Sequence, residues 1–126
     1  MALLGLVVSN DNYVGANLSR IVTEEGIRNI RSADLDRLTR ELKKPGRLAV
    51  IDVAWEAVQE RGVLKQLVNI ARITGNKVIC ICPNQDEDLK KLAALARADK
   101  VFIRYDLEIT FRQFLKDVQI EAAEEK

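Results

Sequence analysis

Short apolar runs rich in β-branched residues alternate along the chain with polar turns and with helical patterns of apolar residues. Five such runs recur at nearly equal spacing: Leu4–Val8, Ile27–Arg31, Leu48–Ile51, Val78–Cys82 and Val101–Arg104. Runs of this length and composition indicate strands, and apolar positions three and four residues apart indicate the helices between them. The alternation of the two predicts a single α/β domain with a parallel sheet.

The composition of the individual runs predicts the order of the strands. The third run has no polar alternation, which is typical of a central strand covered by helices on both faces. The second run is short and polar, which favours the edge of the sheet. We therefore expect a three-layer αβα sandwich with strand order 2-1-3-4-5, formed by residues 1–120 and followed by a polar tail at 121–126.

Charge and composition exclude several classes of function. The 126 residues carry a net charge of +1 from well-mixed signs, which predicts no nucleic-acid partner and no membrane surface. The apolar N-terminus lacks a basic start and reads as a strand, and no segment approaches the roughly 20 apolar residues that span a bilayer, so we expect a cytoplasmic protein. The absence of histidine excludes Ser-His-Asp and Cys-His catalysis and histidine-based metal sites.

Polar side chains follow the predicted strands at what should be one edge of the sheet. They are Ser9, Asn10, Asp11, Asp52, Cys82, Asn84 and Arg104. In open parallel sheets, binding chemistry lies beyond the carboxyl ends of the strands, at the switch point that here falls between strands one and three. Asn10 and Asp11 fit two interpretations equally, as metal ligands or as caps of the following helix. Cys80 and Cys82 point to one face and read as buried small residues.

With this arrangement of elements, the chain resembles the receiver domain of bacterial response regulators over essentially its whole length. The resemblance depends on element order, element spacing and the Val50-Ile51-Asp52 step. It implies that Asp52 occupies the position of the aspartate that accepts a phosphoryl group from a kinase phosphohistidine in two-component phosphorelay. It also implies two acidic residues for magnesium after strand one, a hydroxyl residue after strand four and a lysine after strand five.

The chain departs from that pattern at most of its chemical positions. The residues found there are Ser9 and Asn10 for the acidic pair, Cys82 for the hydroxyl, Arg104 for the lysine, and Tyr105 for the proline that follows it. Neutral oxygens bind magnesium more weakly than carboxylates, and a planar guanidinium differs from a point charge. The departures imply a degenerate receiver, of the type called a pseudo-receiver, in which Cys82, Arg104 and Tyr105 stand at the phosphate-contact or switch positions.

Two further side chains near the acceptor position have predicted roles. Arg104 is expected to pair with Asp52 or Asp106, because an unpaired buried carboxylate is costly. Trp55, just after the acceptor position, is expected either to close over the site as a lid or to anchor a partner.

The resulting hypothesis is a non-enzymatic, cofactor-free signalling module that acts by binding another protein, such as a histidine kinase or an output protein. Its output face would be helix four, strand five and helix five, and Asp52 would be phosphorylated weakly or not at all. One alternative is a conventional response regulator, phosphorylated on Asp52 with magnesium held weakly by Asn10, Asp11 and Asp52. The other is a small flavodoxin-like enzyme or ligand-binding domain, although the chain lacks a glycine-rich phosphate loop.

Overall fold

Five parallel strands form one sheet in the computed structural model, which describes residues 2–124. The strands are β1 Leu4–Val8, β2 Arg28–Ser32, β3 Arg47–Asp52, β4 Lys77–Cys82 and β5 Lys100–Ile103. The α-helices are α1 Asn12–Glu24, α2 Leu35–Leu42, α3 Glu56–Gln59, α4 Val63–Ile73, α5 Glu87–Leu95 and α6 Arg112–Glu124. In this part of the chain, no helix combines the length and the apolar character needed to cross a bilayer.

The sheet has the order β2-β1-β3-β4-β5, so the predicted fold class and strand order are confirmed. The last residue of β1, Val8, pairs in register with Ile51 of β3 and with Ser32 of β2. Asp52 at the end of β3 pairs with Ile81 of β4. This register brings the carboxyl ends of β1, β3 and β4 to one edge of the sheet.

Apolar side chains fill the space between the sheet and the helices on both faces. One cluster joins the sheet to α2, α4 and α5, and the other joins it to α1 and α6. Every residue of β3 from Leu48 to Asp52 is fully buried, as expected for the central strand of a parallel sheet. The central strand therefore delivers Asp52 to the sheet edge from the most rigid part of the core.

Aspartates begin three of the helices. Asp11 caps α1 by accepting the backbone N–H groups of Tyr13 and Val14, Asp34 caps α2, and Asp86 caps α5. Such a side chain satisfies N–H groups that have no partner within the helix, which fixes where the helix begins. Asp34 is therefore the residue at which the second helix begins.

The structure corrects the prediction at both ends of the last βα unit. β5 ends at Ile103, so Arg104 lies in a 3₁₀ turn (Arg104–Asp106) and not in the strand. A π-helical turn, Leu107–Phe111, then leads into α6. The predicted polar tail begins inside α6, because the helix runs through Glu124 and Ala122 is the last buried residue of its apolar stripe. Residues 125 and 126 lie outside the described residues.

Candidate functional site

Asp52 occupies the centre of the sheet edge and is completely buried. Ser9 follows β1 directly, and its Oγ donates a hydrogen bond to Asp52 Oδ2 at 2.8 Å. The two residues meet because β1 and β3 are neighbours in register, with Val8 opposite Ile51. Asp52 therefore reaches the rim beside β1, which is the neighbour of β3 in the sheet although β2 lies between the two strands in the chain.

Arg104 and the backbone of Ala54 complete the surroundings of the Asp52 carboxylate. Arg104 Nη2 donates to Asp52 Oδ1 at 3.0 Å, and the Ala54 N–H donates to the same oxygen at 3.2 Å. We call this group of Ser9, Asp52, Ala54 and Arg104 the Asp52 pocket. Each carboxylate oxygen has at least one donor, so the buried charge is both neutralised and hydrogen-bonded.

The two side chains of the ion pair in the Asp52 pocket differ in exposure, and only one nitrogen of the guanidinium contacts the carboxylate. The Asp52 side chain is 1% exposed, whereas the Arg104 side chain is 31% exposed. Only Nη2 of the guanidinium contacts the carboxylate, and the buried Nε–H has no acceptor among the described residues. A guanidinium can bind a carboxylate through two parallel N–H groups, so this pair uses half of its capacity.

Asp11, one of the residues predicted to hold a metal, uses its side chain to cap a helix. Asp11 Oδ1 accepts the N–H groups of Tyr13 and Val14 at 2.9 and 3.1 Å, and both Asn10 and Asp11 are exposed. Within residues 2–124, no three Cys, Asp or Glu side chains are placed to hold a metal ion together. The one carboxylate in the pocket already faces a guanidinium. This donor set does not fit magnesium, which prefers several hard oxygens and more than one negative charge.

Cys82 and Tyr105, two of the predicted switch positions, differ sharply in exposure. Cys82 is fully buried, and its burial raises the pKa of the thiol to about 11. The Tyr105 side chain is 83% exposed. The Tyr105 N–H donates to Asn84 Oδ1 at 2.9 Å, which ties the end of β4 to the turn that carries Arg104. Asn84 thus helps to hold Arg104 at the rim.

Trp55 lies in the core and not at the surface. Its side chain is 7% exposed and belongs to the same apolar cluster as Val53 and Val58. The prediction of an exposed partner anchor is therefore wrong, because the side chain has almost no free surface. The group beside the Asp52 carboxylate is a cation, Arg104, rather than the indole.

Ser9, which with Asn10 stands where the resemblance implies an acidic pair, is a pocket residue that was not among the predicted metal ligands. Asn10 was expected beside Asp52, but Ser9 stands there instead. One feature of the sequence could have indicated Ser9: it comes immediately after Val8, the last paired residue of β1. Asn10, one residue later, already belongs to the turn before α1.

No family model and no curated protein matches the chain. Solved structures do. A protein provisionally named as related to pilus assembly, from Burkholderia pseudomallei, has a TM-score of 0.70 at 20% identity, over 96% of this chain and 90% of that one. A CheY-like response regulator receiver domain protein from Methanospirillum hungatei has a TM-score of 0.69 at 17% identity, over 96% and 99%.

A third structure shows the same fold bound to a signalling protein. It is the receiver domain of the response regulator Ssk1 from Saccharomyces cerevisiae, in complex with the histidine phosphotransfer protein Ypd1. The TM-score is 0.64 at 13% identity, over 82% of this chain and 79% of that one. The chain has the fold of response regulator receiver domains.

Proposed function

We propose that this chain is a signalling module of the receiver fold that acts by binding another protein, without phosphorylation of Asp52 and without a cofactor. The contact between Arg104 Nη2 and Asp52 Oδ1, at 3.0 Å, carries the proposal. A cation of the chain itself contacts one of the two carboxylate oxygens to which a phosphoryl group could be transferred. The module would therefore keep the shape of a receiver in a single state.

The chemistry of phosphoryl transfer supports this proposal. Transfer to an aspartate needs a free carboxylate oxygen as the nucleophile and cations that neutralise the transferred group. Both oxygens of Asp52 are occupied by donors from Ser9, Ala54 and Arg104. Asp11, the nearest candidate for a second acidic ligand, is used as a helix cap. These contacts would disfavour both attack by the carboxylate and binding of magnesium beside it.

The surface around β5 supports binding to a protein. Three apolar or aromatic side chains are exposed there: Val101 by 37%, Tyr105 by 83% and Ile109 by 81%. Next to them is a groove of about 460 Å³, lined by Lys100, Phe102, Ile109, Thr110, Gln113, Phe114 and Asp117. Exposed apolar groups that cluster on one side of a protein are typical of an interaction site. We call this surface the β5 face.

The proteins of similar fold also favour this interpretation. The yeast receiver domain is found in a complex with a histidine phosphotransfer protein, so the fold can present a surface to a signalling partner. The Burkholderia protein is named for pilus assembly and not for phosphorelay, so the fold is not confined to one cellular task.

Incubation with acetyl phosphate and magnesium tests the proposal directly. We expect the mass of the intact protein to be unchanged, and beryllium fluoride with magnesium to leave the fluorescence of Trp55 unchanged. Asp52→Asn is the matched control, because it removes the nucleophile and keeps the size of the side chain. A gain of one phosphoryl group in the original protein that is absent in Asp52→Asn would contradict the proposal.

Such a result would favour the second candidate, a conventional response regulator. One observation favours it already: the buried Nε–H of Arg104 has no acceptor in the described residues, and a phosphoryl oxygen on Asp52 could supply one. Under this alternative, Arg104→Met should abolish the mass gain. Under the main proposal, neither protein gains mass.

A further inference from the structure

A groove with only basic charges lies on the side of the molecule formed by α4 and the end of α5. It has a volume of about 450 Å³ and is lined by Lys65, Asn69, Arg72, Ala94, Leu95, Ala96 and Arg97. We infer that this α4–α5 groove binds an acidic segment of a partner protein. The inference does not depend on the state of Asp52, and it names a second surface distinct from the β5 face.

The basic side chains of the α4–α5 groove have no carboxylate partner. Among the described residues, none of Lys65, Arg72 and Arg97 forms an ion pair, whereas arginines elsewhere on the surface, such as Arg20 and Arg112, contact two or three glutamates each. No acidic residue occurs in α4, and none occurs between residues 89 and 97. The positive potential of the groove is therefore not cancelled locally and would attract an anionic segment.

One hydrogen bond holds the two sides of the groove together before any partner binds. Lys65, Asn69 and Arg72 are four and three residues apart, so they lie along one face of α4. Arg72 Nη2 donates to the carbonyl oxygen of Arg97 at 2.9 Å, which joins α4 to the second residue after α5. Arg97 itself has a left-handed backbone, with φ of 62°, and ends that helix sharply. A preformed groove reduces the entropy lost on binding.

The apolar part of the groove favours a protein segment over a nucleic acid. Leu95 is 75% exposed and lines the groove together with the three basic residues. A phosphate backbone would gain nothing from this side chain, whereas an acidic segment with one apolar residue could bury it. Charged residues around a central apolar contact are the usual organisation of a protein–protein interface.

A fluorescent peptide of about twelve residues, made of glutamate with leucine at every fourth position, tests the inference by anisotropy. We expect saturable binding that weakens about tenfold when Lys65→Glu and Arg97→Glu are combined, because two attractive charges become repulsive. Leu95→Ser should also weaken binding. Arg72 is left unchanged because it holds the end of α5.

The control is Arg37→Glu combined with Arg40→Glu, which makes the same change in net charge on the exposed face of α2. These residues also lack ion pairs within residues 2–124, so the control should bind the peptide as the original protein does. Equal weakening in both double variants, or no binding at all, would overturn the inference. So would tighter binding of a single-stranded oligonucleotide, or a dimer in sedimentation that depends on Lys65 and Arg97. Circular dichroism establishes that each variant is folded.

Discussion

Two groups of arginines and carboxylates in this protein use the same chemistry in different surroundings. In the Asp52 pocket, one cation contacts one carboxylate whose side chain is 1% exposed. In the second group, which we call the Arg112 network, Arg112 contacts Glu24, Glu25 and Glu108 at 2.6, 3.0 and 2.9 Å. The Glu24 and Glu108 side chains there are 46% and 59% exposed.

The two groups also have different tasks in the fold. The Arg112 network joins the end of α1 to the π-helical turn and to the start of α6, and Arg20 adds contacts to Glu24 and Glu108. The Asp52 pocket joins the central strand to the turn after β5. When a cation is removed, water can solvate the exposed carboxylates of the network but not Asp52. Burial, and not the number of contacts, should therefore decide how much each arginine contributes to stability.

The largest expected effect is that of Arg104→Met. It should lower the free energy of unfolding by about 3 kcal/mol, because it leaves a buried carboxylate without its cation. Urea denaturation measures this change. In the Asp52→Asn background the same substitution should cost much less, since no buried charge remains to be neutralised. An equal loss in both backgrounds would mean that Arg104 acts through its packing and not through its charge.

Ser9→Ala should have the next largest effect, a loss of about 1.5 kcal/mol in urea denaturation, since the Ser9 hydroxyl bonds to a buried charged group. Ser19→Ala is a useful control, because the Ser19 hydroxyl bonds to the amide oxygen of Asn29, which carries no charge. If Ser19→Ala lowered the free energy of unfolding more than Ser9→Ala, the Asp52 charge could not be what makes the Ser9 hydrogen bond important.

Arg112→Met should have a smaller effect that depends on pH and salt. Hydrogen bonds from Arg112 and Arg20 lower the pKa of Glu24, and bonds from Arg20 and Arg112 lower that of Glu108. Carboxylates with a lowered pKa stabilise the folded state above the ordinary glutamate pKa of 4.5, and this contribution is lost as the pH falls through the folded-state values. The melting temperature of the original protein should therefore fall more steeply below pH 4.5 than that of Arg112→Met. Parallel curves would show that the network is not linked to protonation.

The smallest expected effect concerns the thiols of Cys80 and Cys82. Burial raises their pKa values to about 12 and about 11, so both are protonated at pH 8. Ellman's reagent should react with neither thiol in the folded protein, in Arg104→Met or in Arg112→Met, and with both thiols in urea. Rapid reaction of one thiol in folded Arg104→Met would indicate that loss of the cation opens the pocket to Cys82.

Local sequence patterns were sufficient for most of the fold. The bounds of β1 are those predicted, because its apolar residues and the polar turn that follows them determine where the strand begins and ends. The short helix α3 was not predicted, since four residues are too few to show a helical period. The end of β5 was placed one residue late, because the 3₁₀ and π-helical turns after it have no simple apolar pattern.

The candidate site was predictable only in part. The sequence indicated Asp52 at the rim and Arg104 as a partner of either Asp52 or Asp106, because Asp52 and Arg104 stand at the ends of strands that a parallel sheet brings together. The sequence did not show which of Ser9 and Asn10 would contact Asp52, since the directions of adjacent side chains in a turn are set only when the turn is folded. It also left Trp55 open between a lid over the site and an exposed partner anchor, because an aromatic residue after a strand can lie in the core or at the surface with equal ease.

The sequence by itself determined the alternation of strands and helices, the order of the strands and the presence of one carboxylate at the end of the central strand. Only the tertiary structure decided what surrounds that carboxylate, and that Arg112 meets Glu25 across 87 residues of chain. The physical reason is range. Apolar periodicity and helix caps act between residues a few positions apart, whereas the partner of a buried charge is set by which distant side chains the packed sheet brings within hydrogen-bond distance.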